Sequence, residues 1–391
     1  MNTPLYEKIY EHIIKQIKQG LLRQGDRVPS EKDLADEFQV SRITSKKALD
    51  LLAQNNIIER IRGKGSFVAK QESVLRELPL TEEERHENKR TSKLIALMIP
   101  DFDDAFGLNL VKTIEKVCLQ NNCSLIIRRT RGHIKEEENA IKDLVKLCVD
   151  GMIIFPVHGE HYNTELLRLV LMDFPLVLVD RYLNGIPASS VCTNNQAACE
   201  ELTNYLFTLG HTNIAFLSPS PSGTSTIEER LQGFHIAYTK RGLKLNPNFL
   251  LLDLISSLPQ HIEDGQGNSK LEIDFLAIKH FIEKHSSVTA FIVSEYSLAV
   301  TLKYVLEKQG KKIPEDYSIV CFDCPENRLE EPAFTHIRQH EEEMGEIAVH
   351  MLMKQLKGEK IPKHTVINYT LVVGKSTTSK SFAENVKQFI E

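Results

Sequence analysis

The chain of 391 residues contains no tryptophan and no apolar run close to the roughly 20 residues that a membrane-spanning helix requires. Residues 1–20 are polar and amphipathic, without the uninterrupted apolar core of a secretory signal. These absences argue against a membrane protein and against an exported one. We therefore expect a globular chain that works in the cytoplasm and has no membrane partner.

Cysteine is scarce and odd in number, with seven residues that lie mostly within apolar segments. This pattern indicates buried thiols in a reducing compartment and argues against a disulfide framework. Cys321 and Cys324 have a C-x-x-C spacing, but the first lies in an apolar run and no second pair exists. We expect buried thiols there, with a redox or metal role as the alternative.

Enzymatic signatures are also missing. The sequence contains no G-x-S-x-G, no P-loop and no H-E-x-x-H motif. His158 and His161 lie three residues apart without an adjacent third ligand, so a solvated loop is expected there. We predict a protein that is not an enzyme and that carries neither a cofactor nor a metal.

Charge is distributed unevenly along the chain. Residues 1–70 contain 13 basic and 9 acidic residues, a net charge of +4, whereas the remainder contains 35 basic and 44 acidic residues, a net charge of −9. A small basic segment attached to an acidic body suggests that the basic segment binds a polyanion.

The basic segment reads as three helices followed by a hairpin. Apolar residues recur at helical spacing from Leu5 to Ile17, and Ser30 with Asp33 resembles a capping box that opens a helix over Glu31–Phe38. Ser41 can cap a third helix from Arg42 to about Gln54. Two apolar runs then flank a glycine-rich tip, which indicates a hairpin.

This order of elements predicts a helix-turn-helix, in which the second helix of the motif enters the major groove with its N-terminal residues facing the bases. Those residues run from Ser41 to Lys47. Arginine can bind guanine with two hydrogen bonds, hydroxyls can reach phosphates, and lysine can neutralise them. The hairpin tip, 60–65, adds cations around two glycines that permit close backbone approach.

The whole run resembles the winged helix-turn-helix of the gluconate-repressor (GntR) family. The matching segments are Val28–Ala35, Val40–Thr44, Lys47–Leu49 and Gly63–Val68. Lys46 stands where the family usually has arginine, which favours a phosphate contact there over base readout. The resemblance and the cationic tip imply DNA contacts by Ser30, Lys32, Ser41, Arg42, Thr44, Lys46, Arg62, Gly63 and Lys64.

Domain boundaries follow from composition. Residues 1–70 form the predicted DNA-binding domain, and the charged, weakly periodic segment 71–91 reads as a solvated linker. Apolar strands then alternate with amphipathic helices, so 92–381 is predicted to be an α/β domain of two lobes with parallel sheets. The predicted strands are Leu94–Ile99, Ser124–Ile127, Gly151–Phe155, Leu176–Val179, Ile214–Leu217, Phe249–Leu252, Ala290–Val293 and Ser318–Phe322.

The body resembles the effector domain of the lactose/galactose-repressor (LacI) family, which is akin to periplasmic sugar-binding proteins. The resemblance runs from about Lys93 to Lys380. Among the matching segments are Val179–Arg181, Leu209–His211, Glu229–Phe234, Lys312–Asp316, Cys321–Asp323 and Pro332–Ile337. Together the two halves resemble the arabinose repressors of Gram-positive bacteria, which combine a GntR-type head with a LacI-type body.

Ligand residues are expected just beyond the carboxyl ends of parallel strands. A sugar needs acceptors and forked donors for its hydroxyls and an aromatic face for its C–H surface. Asp180, Asp323 and Gln339 suit the first role, Arg181 and Arg230 the second, and Phe106 the third, and the resemblance places all six at ligand contacts. The full predicted set is Asp104, Phe106, Asp180, Arg181, Arg230, Ser294, Glu295, Asp323 and Gln339. Ser294 and Glu295 stand where relatives commonly have Asn-Asp.

The resulting hypothesis is a sequence-specific repressor of carbohydrate-utilisation genes that acts as a homodimer and leaves operator DNA when it binds a small sugar, either an arabinose-like pentose or a hexose. Three alternatives stay open. The charged residues of the cleft could form a purely structural ion-pair network, the protein could bind DNA independently of a ligand, or the effector could be a sugar phosphate.

Overall fold

The computed structural model describes residues 5–18, 21–54, 57–61, 64–69, 92–159, 163–259, 267–326 and 329–380. The chain divides into two compact units, Met1–Lys89 and Arg90–Glu391, which we call the head and the body. The predicted linker 71–91 lies outside the described residues, as do Arg62, Gly63 and His161.

The described part of the head contains helices α1 (Leu5–Lys18), α2 (Glu31–Phe38) and α3 (Arg42–Gln54). At the start of α2 the Ser30 hydroxyl accepts a hydrogen bond from the backbone N–H of Asp33 at 3.2 Å, and the Asp33 carboxylate accepts one from Ser30 N at 2.9 Å. The predicted capping box is therefore present. Hydrogen bonds from Ser30 lower the pKa of Asp33.

Apolar faces of the three helices close the core of the head. Ile9 and Ile13 of α1, Leu34 of α2, and Ala48 and Leu52 of α3 are fully buried. A sheet covers one end, with strand β3 (Gly65–Val68) antiparallel to both β1 (Arg27–Val28) and β2 (Ile58–Ile61). Three helices followed by a hairpin make this unit a winged helix-turn-helix.

The first lobe of the body is built on a parallel sheet of six strands. These strands are β4 (Lys93–Ile99), β5 (Cys123–Arg129), β6 (Gly151–Ile154), β7 (Leu176–Val179), β8 (Ser189–Thr193) and β14 (His364–Ile367). Their spatial order is β14-β8-β7-β6-β4-β5. Helices α4 (Leu108–Gln120), α5 (Ile134–Lys146), α6 (Thr164–Leu171) and α11 (Glu341–Leu356) belong to this lobe.

The second lobe is also built on a sheet of six strands. These strands are β9 (Ile214–Leu217), β10 (Leu250–Leu251), β11 (Ala290–Val293), β12 (Ser318–Phe322), β13 (Thr335–Gln339) and β15 (Tyr369–Val372). Their spatial order is β10-β9-β11-β12-β13-β15, and all neighbours are parallel except the antiparallel pair of β13 and β15. Its helices are α7 (Asn195–Thr208), α8 (Ser225–Lys240), α9 (Gly267–Lys284) and α10 (Tyr296–Lys308). The two-lobed α/β fold is thus as predicted.

The lobes are joined where β8 leads into α7, where β13 leads into α11, and where β14 leads into β15. Each sheet has its own buried core, and strands β7, β9 and β11 consist entirely of buried apolar residues. At the crossing of α7 and α8, a Cβ on Gly233 would lie 2.1 Å from the carbonyl oxygen of Gln196, so only glycine fits. This close crossing fixes α8 against α7, the helix that follows the junction between β8 of the first lobe and the second lobe.

Several predictions about elements and cysteines need correction. Phe249–Leu252 is not one strand, because Pro247–Phe249 forms a 3-10 turn and the strand is only Leu250–Leu251. Cys148 is exposed, whereas the other six cysteines are buried, including both members of the C-x-x-C pair. Burial raises the pKa of Cys118 to about 12, which keeps that thiol protonated and unreactive.

No helix among the described residues combines the length and apolar composition of a membrane span. Within the same ranges, no group of three or more His, Cys, Asp or Glu side chains is arranged to hold a metal ion.

Candidate functional site

The N-terminal half of α3 presents an exposed polar face. Arg42, Lys46 and Lys47 are exposed, and the Lys47 ammonium lies 4.1 Å from the centroid of the Tyr6 ring. Ser45, although predicted within the base-facing run, points inward, since it is fully buried and its hydroxyl donates to the carbonyl of Glu31 at 2.7 Å. Ser45 thus ties α3 to α2 and is not available to DNA.

Hydroxyls shape the start of the same helix. Ser41 and Thr44 have their hydroxyl oxygens 2.9 Å apart, and Ser41 Oγ accepts from Thr44 N at 3.2 Å, as the predicted cap requires. Lys32 is exposed on α2, whereas Ser30 is occupied by its capping box.

The wing contributes fewer free cations than the sequence suggests. Arg60 pairs with Glu31 and with Asp50, so its charge is neutralised by α2 and α3 and it anchors the hairpin to them. Lys64 is exposed at the described edge of the tip. Among the described residues of α2, α3 and the wing, Lys32, Arg42, Lys46, Lys47 and Lys64 are exposed cations.

In the body, a cleft of about 190 Å³ lies between the two lobes, lined by loops that follow strands of both sheets. Seven predicted ligand residues line it: Phe106, Asp180, Arg181, Arg230, Glu295, Asp323 and Gln339. Asp104 does not; it lines a neighbouring depression rich in acidic residues. Ser294 does not line the cleft either; its backbone carbonyl, and not its side chain, accepts a hydrogen bond from Arg230.

Arg230 is held on three sides. Its Nε donates to Asn195 Oδ1 at 2.8 Å, its Nη1 donates to the Ser294 carbonyl at 2.6 Å, and its guanidinium lies 3.8 Å from the centroid of the Phe322 ring. Stacking on an aromatic face with hydrogen bonds at the edge is the arrangement that guanidinium geometry favours. The side chain is only 5% exposed, so its position is fixed before any ligand binds.

Arg181 lies on the side of the first lobe. Its Nη1 donates to the carbonyl of Pro156 at 3.3 Å, and its guanidinium lies 4.9 Å from the Phe155 ring centroid. Nε is 3.5 Å from Asp180 Oδ2, yet this buried donor has no hydrogen-bond partner among the described residues. Burial lowers the pKa of Arg181, and the Asp180 charge opposes that shift.

Asp323 and Gln339 form a buried pair on the side of the second lobe. Gln339 Nε2 donates to Asp323 Oδ2 at 2.8 Å. Burial raises the pKa of Asp323 to about 7, although Arg230 and the Gln339 hydrogen bond favour the carboxylate. The Oε1 atom of Gln339 is buried and accepts no hydrogen bond from the described residues.

Carboxylates outnumber cations in the cleft. Burial raises the pKa of Asp180 and of Glu295, with both arginines opposing the shift. Glu295 accepts a hydrogen bond from the Ser257 hydroxyl at 2.6 Å. Asp101 also lines the cleft but is engaged with Arg129 at 2.9 Å.

The cleft also contains residues that sequence reasoning missed. Ser257 lies in the loop that follows the short strand β10, and Asp103 and Tyr296 carry no motif. His158, expected in a solvated loop, is half-buried, lines the cleft and has its Nδ1 3.1 Å from the Thr224 hydroxyl. Its position directly after the β6 strand region was the signal available in the sequence.

An aromatic wall completes the first-lobe side. The rings of Phe106 and Phe155 meet edge to face with centroids 6.1 Å apart, and both residues line the cleft. The cleft therefore combines buried carboxylates, two fixed guanidinium groups and aromatic carbon, which is a surface suited to a small, polar, hydroxyl-bearing molecule.

Comparison with known proteins agrees with both halves of this description. Residues 5–68 match the family of bacterial regulatory proteins described as the gntR family, and residues 203–377 match a periplasmic binding protein-like domain. The chain therefore combines a GntR-type DNA-binding domain in its head with a periplasmic-binding-protein-like domain in its body, in agreement with the resemblances seen in the sequence.

Two repressors of sugar metabolism are similar to this chain over most of its length. The arabinose metabolism transcriptional repressor of Geobacillus stearothermophilus is 26% identical over 385 residues, covering 96% of this chain and 98% of that protein. The ribose operon repressor of Halalkalibacterium halodurans is 26% identical over 301 residues, covering 76% of this chain and 83% of that repressor.

Solved structures share the fold of the body. The transcription regulator CcpA of Lactococcus lactis superposes with a TM-score of 0.63 at 19% identity, covering 73% of this chain and 100% of that structure. A LacI family transcriptional regulator from Enterococcus faecium with bound ribose gives a TM-score of 0.58 at 22% identity, covering 73% of this chain and 99% of that structure.

Proposed function

We propose that this protein is a sequence-specific repressor of carbohydrate-utilisation genes, released from operator DNA when a small sugar binds between the lobes of its body. The observation that carries the proposal is the cleft itself, in which the donor Nε of Arg181 and the acceptor Oε1 of Gln339 are buried and have no hydrogen-bond partner among the described residues. Buried polar atoms are usually hydrogen-bonded, and a hydroxyl group can both donate and accept, so a sugar bound in the cleft can satisfy both atoms.

The size and charge of the cleft support a neutral monosaccharide. About 190 Å³ is below the roughly 300–1,000 Å³ of pockets for larger ligands. Asp180, Glu295 and Asp323 would repel a phosphate, which disfavours a sugar phosphate despite the two arginines. The names of the relatives point to pentoses, since they are repressors of arabinose metabolism and of a ribose operon.

For the head, we propose that Arg42 reads a base and that Lys32, Lys46 and Lys64 neutralise phosphates, with hydroxyl contacts by Ser41 and Thr44. The exposure of the four cations supports these roles. Ser30 was also predicted to contact DNA, but its hydroxyl donates to Asp33, so we propose that it acts by holding the start of α2. Arg62 and Gly63 stay predicted contacts of the wing. Because it acts on operator DNA, the regulator is expected to work in the cytoplasm, with no catalytic role.

A homodimer on a near-palindromic operator completes the proposal, because two-fold proteins read two-fold sites. In the body, Leu119 of α4 and Ile127 of the edge strand β5 are 70% and 41% exposed. Apolar side chains on a helix and on the adjoining edge strand support a contact with a second copy. The predicted linker 71–91 should let the heads tolerate some variation in half-site spacing.

The experiment is operator binding with a sugar panel. DNA selected from a random library by the full chain is titrated in the presence of each pentose and hexose, and the same sugars are scored by the shift in unfolding temperature. A sugar that both stabilises the protein and weakens DNA binding supports the proposal. Sequence-specific DNA binding that no sugar changes would favour the ligand-independent alternative, and a response to phosphorylated sugars alone would favour that class of effector.

A further inference from the structure

Ile43 is an exposed apolar residue in the middle of a cationic surface. It is the second residue of α3 and is 81% exposed, the highest value among the large hydrophobic residues of the described head. The core-facing side of α3 is formed by residues such as Ala48 and Leu52, which are fully buried. Ile43 lies on the opposite side and makes no contribution to that core.

Three of the four residues that line a depression with Ile43 are charged. Ile43 lines this shallow depression on the outer face of α3 together with Lys46, Lys47, Asp50 and Leu51. Arg42 precedes it and is also exposed. An apolar protein partner would need a contiguous apolar patch, and here cations flank the isoleucine. The surrounding charge instead fits a polyanion.

Within the major groove of duplex DNA, the apolar group that the base edges present is the C5-methyl group of thymine. The residues that face base edges in a helix-turn-helix are those at the N-terminus of the second helix, which is where Ile43 lies. We propose that Ile43 contacts a thymine methyl group and so specifies a T·A pair in each half-site. This inference rests on the proposed function, namely sequence-specific DNA binding through α3.

Replacement of thymine by deoxyuridine tests the contact, because it removes the methyl group and leaves base pairing unchanged. A duplex is first selected from random-sequence DNA by the full wild-type chain, and each thymine of one half-site is then replaced in turn. At one position we expect the Kd of the wild-type chain to rise about four-fold, the effect of losing one buried methyl-sized group. In Ile43→Ala the same replacement should have no further effect.

Leu21→Ala is the matched control. Leu21 is 68% exposed in the turn after α1, so the substitution removes similar apolar surface from the head without touching α3. This variant should keep the full wild-type response to deoxyuridine. Because both side chains are exposed, both variants should fold, which thermal unfolding verifies.

The possible outcomes distinguish a failure of the thymine contact from a failure of the proposed sequence-specific DNA binding. If the wild-type chain selects a sequence and Ile43→Ala responds to every deoxyuridine as the wild type does, the thymine contact is wrong while DNA recognition stands. A loss of self-association in Ile43→Ala, with the deoxyuridine responses unchanged, would assign the residue to a protein contact instead. If the wild-type chain enriches no sequence at all, the proposed function and this inference both fail.

Discussion

Asp180 and Asp323 occupy matching positions in the two lobes, each as the first residue after a central parallel strand and each in a left-handed backbone conformation, with φ of 63° and 60°. Their backbone amides donate to Val191 O at 3.0 Å and to Ile337 O at 2.8 Å, on the next strand of each sheet. Aspartate is among the few residues other than glycine that tolerate this conformation. Both lobes therefore bring a buried carboxylate to the same cleft through the same local turn.

Arg230 should be needed for ligand affinity. Arg230→Lys keeps the charge but loses the forked donor and the stacking on Phe322, so calorimetry with the best sugar of the panel should show about a 10- to 100-fold weaker Kd. Arg241→Lys is the control, since Arg241 follows the last turn of the same helix on the exposed surface, bonded to Asn204 at 3.2 Å. Equal affinity of Arg230→Lys and the wild type would place the ligand elsewhere.

Asp323 should make stability depend on pH. Its pKa of about 7 in the folded protein lies above the roughly 3.9 of an unfolded aspartate. The folded state therefore holds the proton where the unfolded state has released it, so this contribution to stability falls as pH rises from about 4 to about 7. Between pH 5.5 and pH 7 the loss should be about 2 kcal/mol.

Asp323→Asn removes that titration, so denaturant unfolding of this variant should show a correspondingly smaller loss over the same pH interval. The change in stability with pH is compared, and not the absolute stability, because the substitution also removes the attraction between the Asp323 carboxylate and the charge of Arg230. Identical pH dependence in the wild type and in Asp323→Asn would show that this carboxyl group does not titrate in the interval.

Gly233 should tolerate no side chain. A Cβ there would lie 2.1 Å from Gln196 O, so Gly233→Ala must separate α7 and α8 and should cost about 3 kcal/mol or more in denaturant unfolding. Gly242→Ala is the comparison, because Gly242 has open space around it and only a positive φ of 65°, and it should cost about 1 kcal/mol. A smaller loss at Gly233 than at Gly242 would contradict the tight helix crossing.

Arg42 and Lys46 should differ in what they contribute to DNA binding. Arg42→Ala should lose about 1–3 kcal/mol of specific binding and relax the preference at one base position. Lys46→Ala should weaken binding to all sequences alike and lower the salt dependence by about one phosphate contact. Quantitative binding over a salt series, followed by selection from a random library, distinguishes them. Unchanged sequence preference in Arg42→Ala would remove it as a base reader.

Elements with a strong local signal were predictable to the residue. The capping box at Ser30 and Asp33 gave the start of α2, and uniformly apolar runs gave the central strands β7, β9, β11 and β12 with their observed bounds. Strands β8, β13, β14 and β15 escaped prediction, because polar residues interrupt their apolar runs, and β14 and β15 lie at the edges of their sheets.

The site was predictable where topology alone decides position. Asp180 and Asp323 each follow a parallel strand, so each lies at the carboxyl-end edge of its own sheet, which is where ligands bind in open α/β sheets. His158 follows β6 and could be found by the same rule, whereas the place of Ser257 depends on how the loop after β10 folds back over the cleft. The sequence places Arg60 in a cationic tip, and the ion pairs that neutralise it cannot be predicted because Glu31 and Asp50 are distant in sequence.

The central claim is that a sugar in the cleft between the lobes releases the protein from DNA. The most direct test is to titrate the DNA-bound protein with the best sugar of the panel and to measure the release by the fluorescence anisotropy of a labelled operator. We expect the sugar to release DNA from the wild-type chain, and to release it from Asp180→Asn only at much higher concentration, while both proteins bind operator equally well without sugar. The account would be contradicted if Asp180→Asn released DNA at the same sugar concentration as the wild type, because the cleft between the lobes would then not be where the sugar acts.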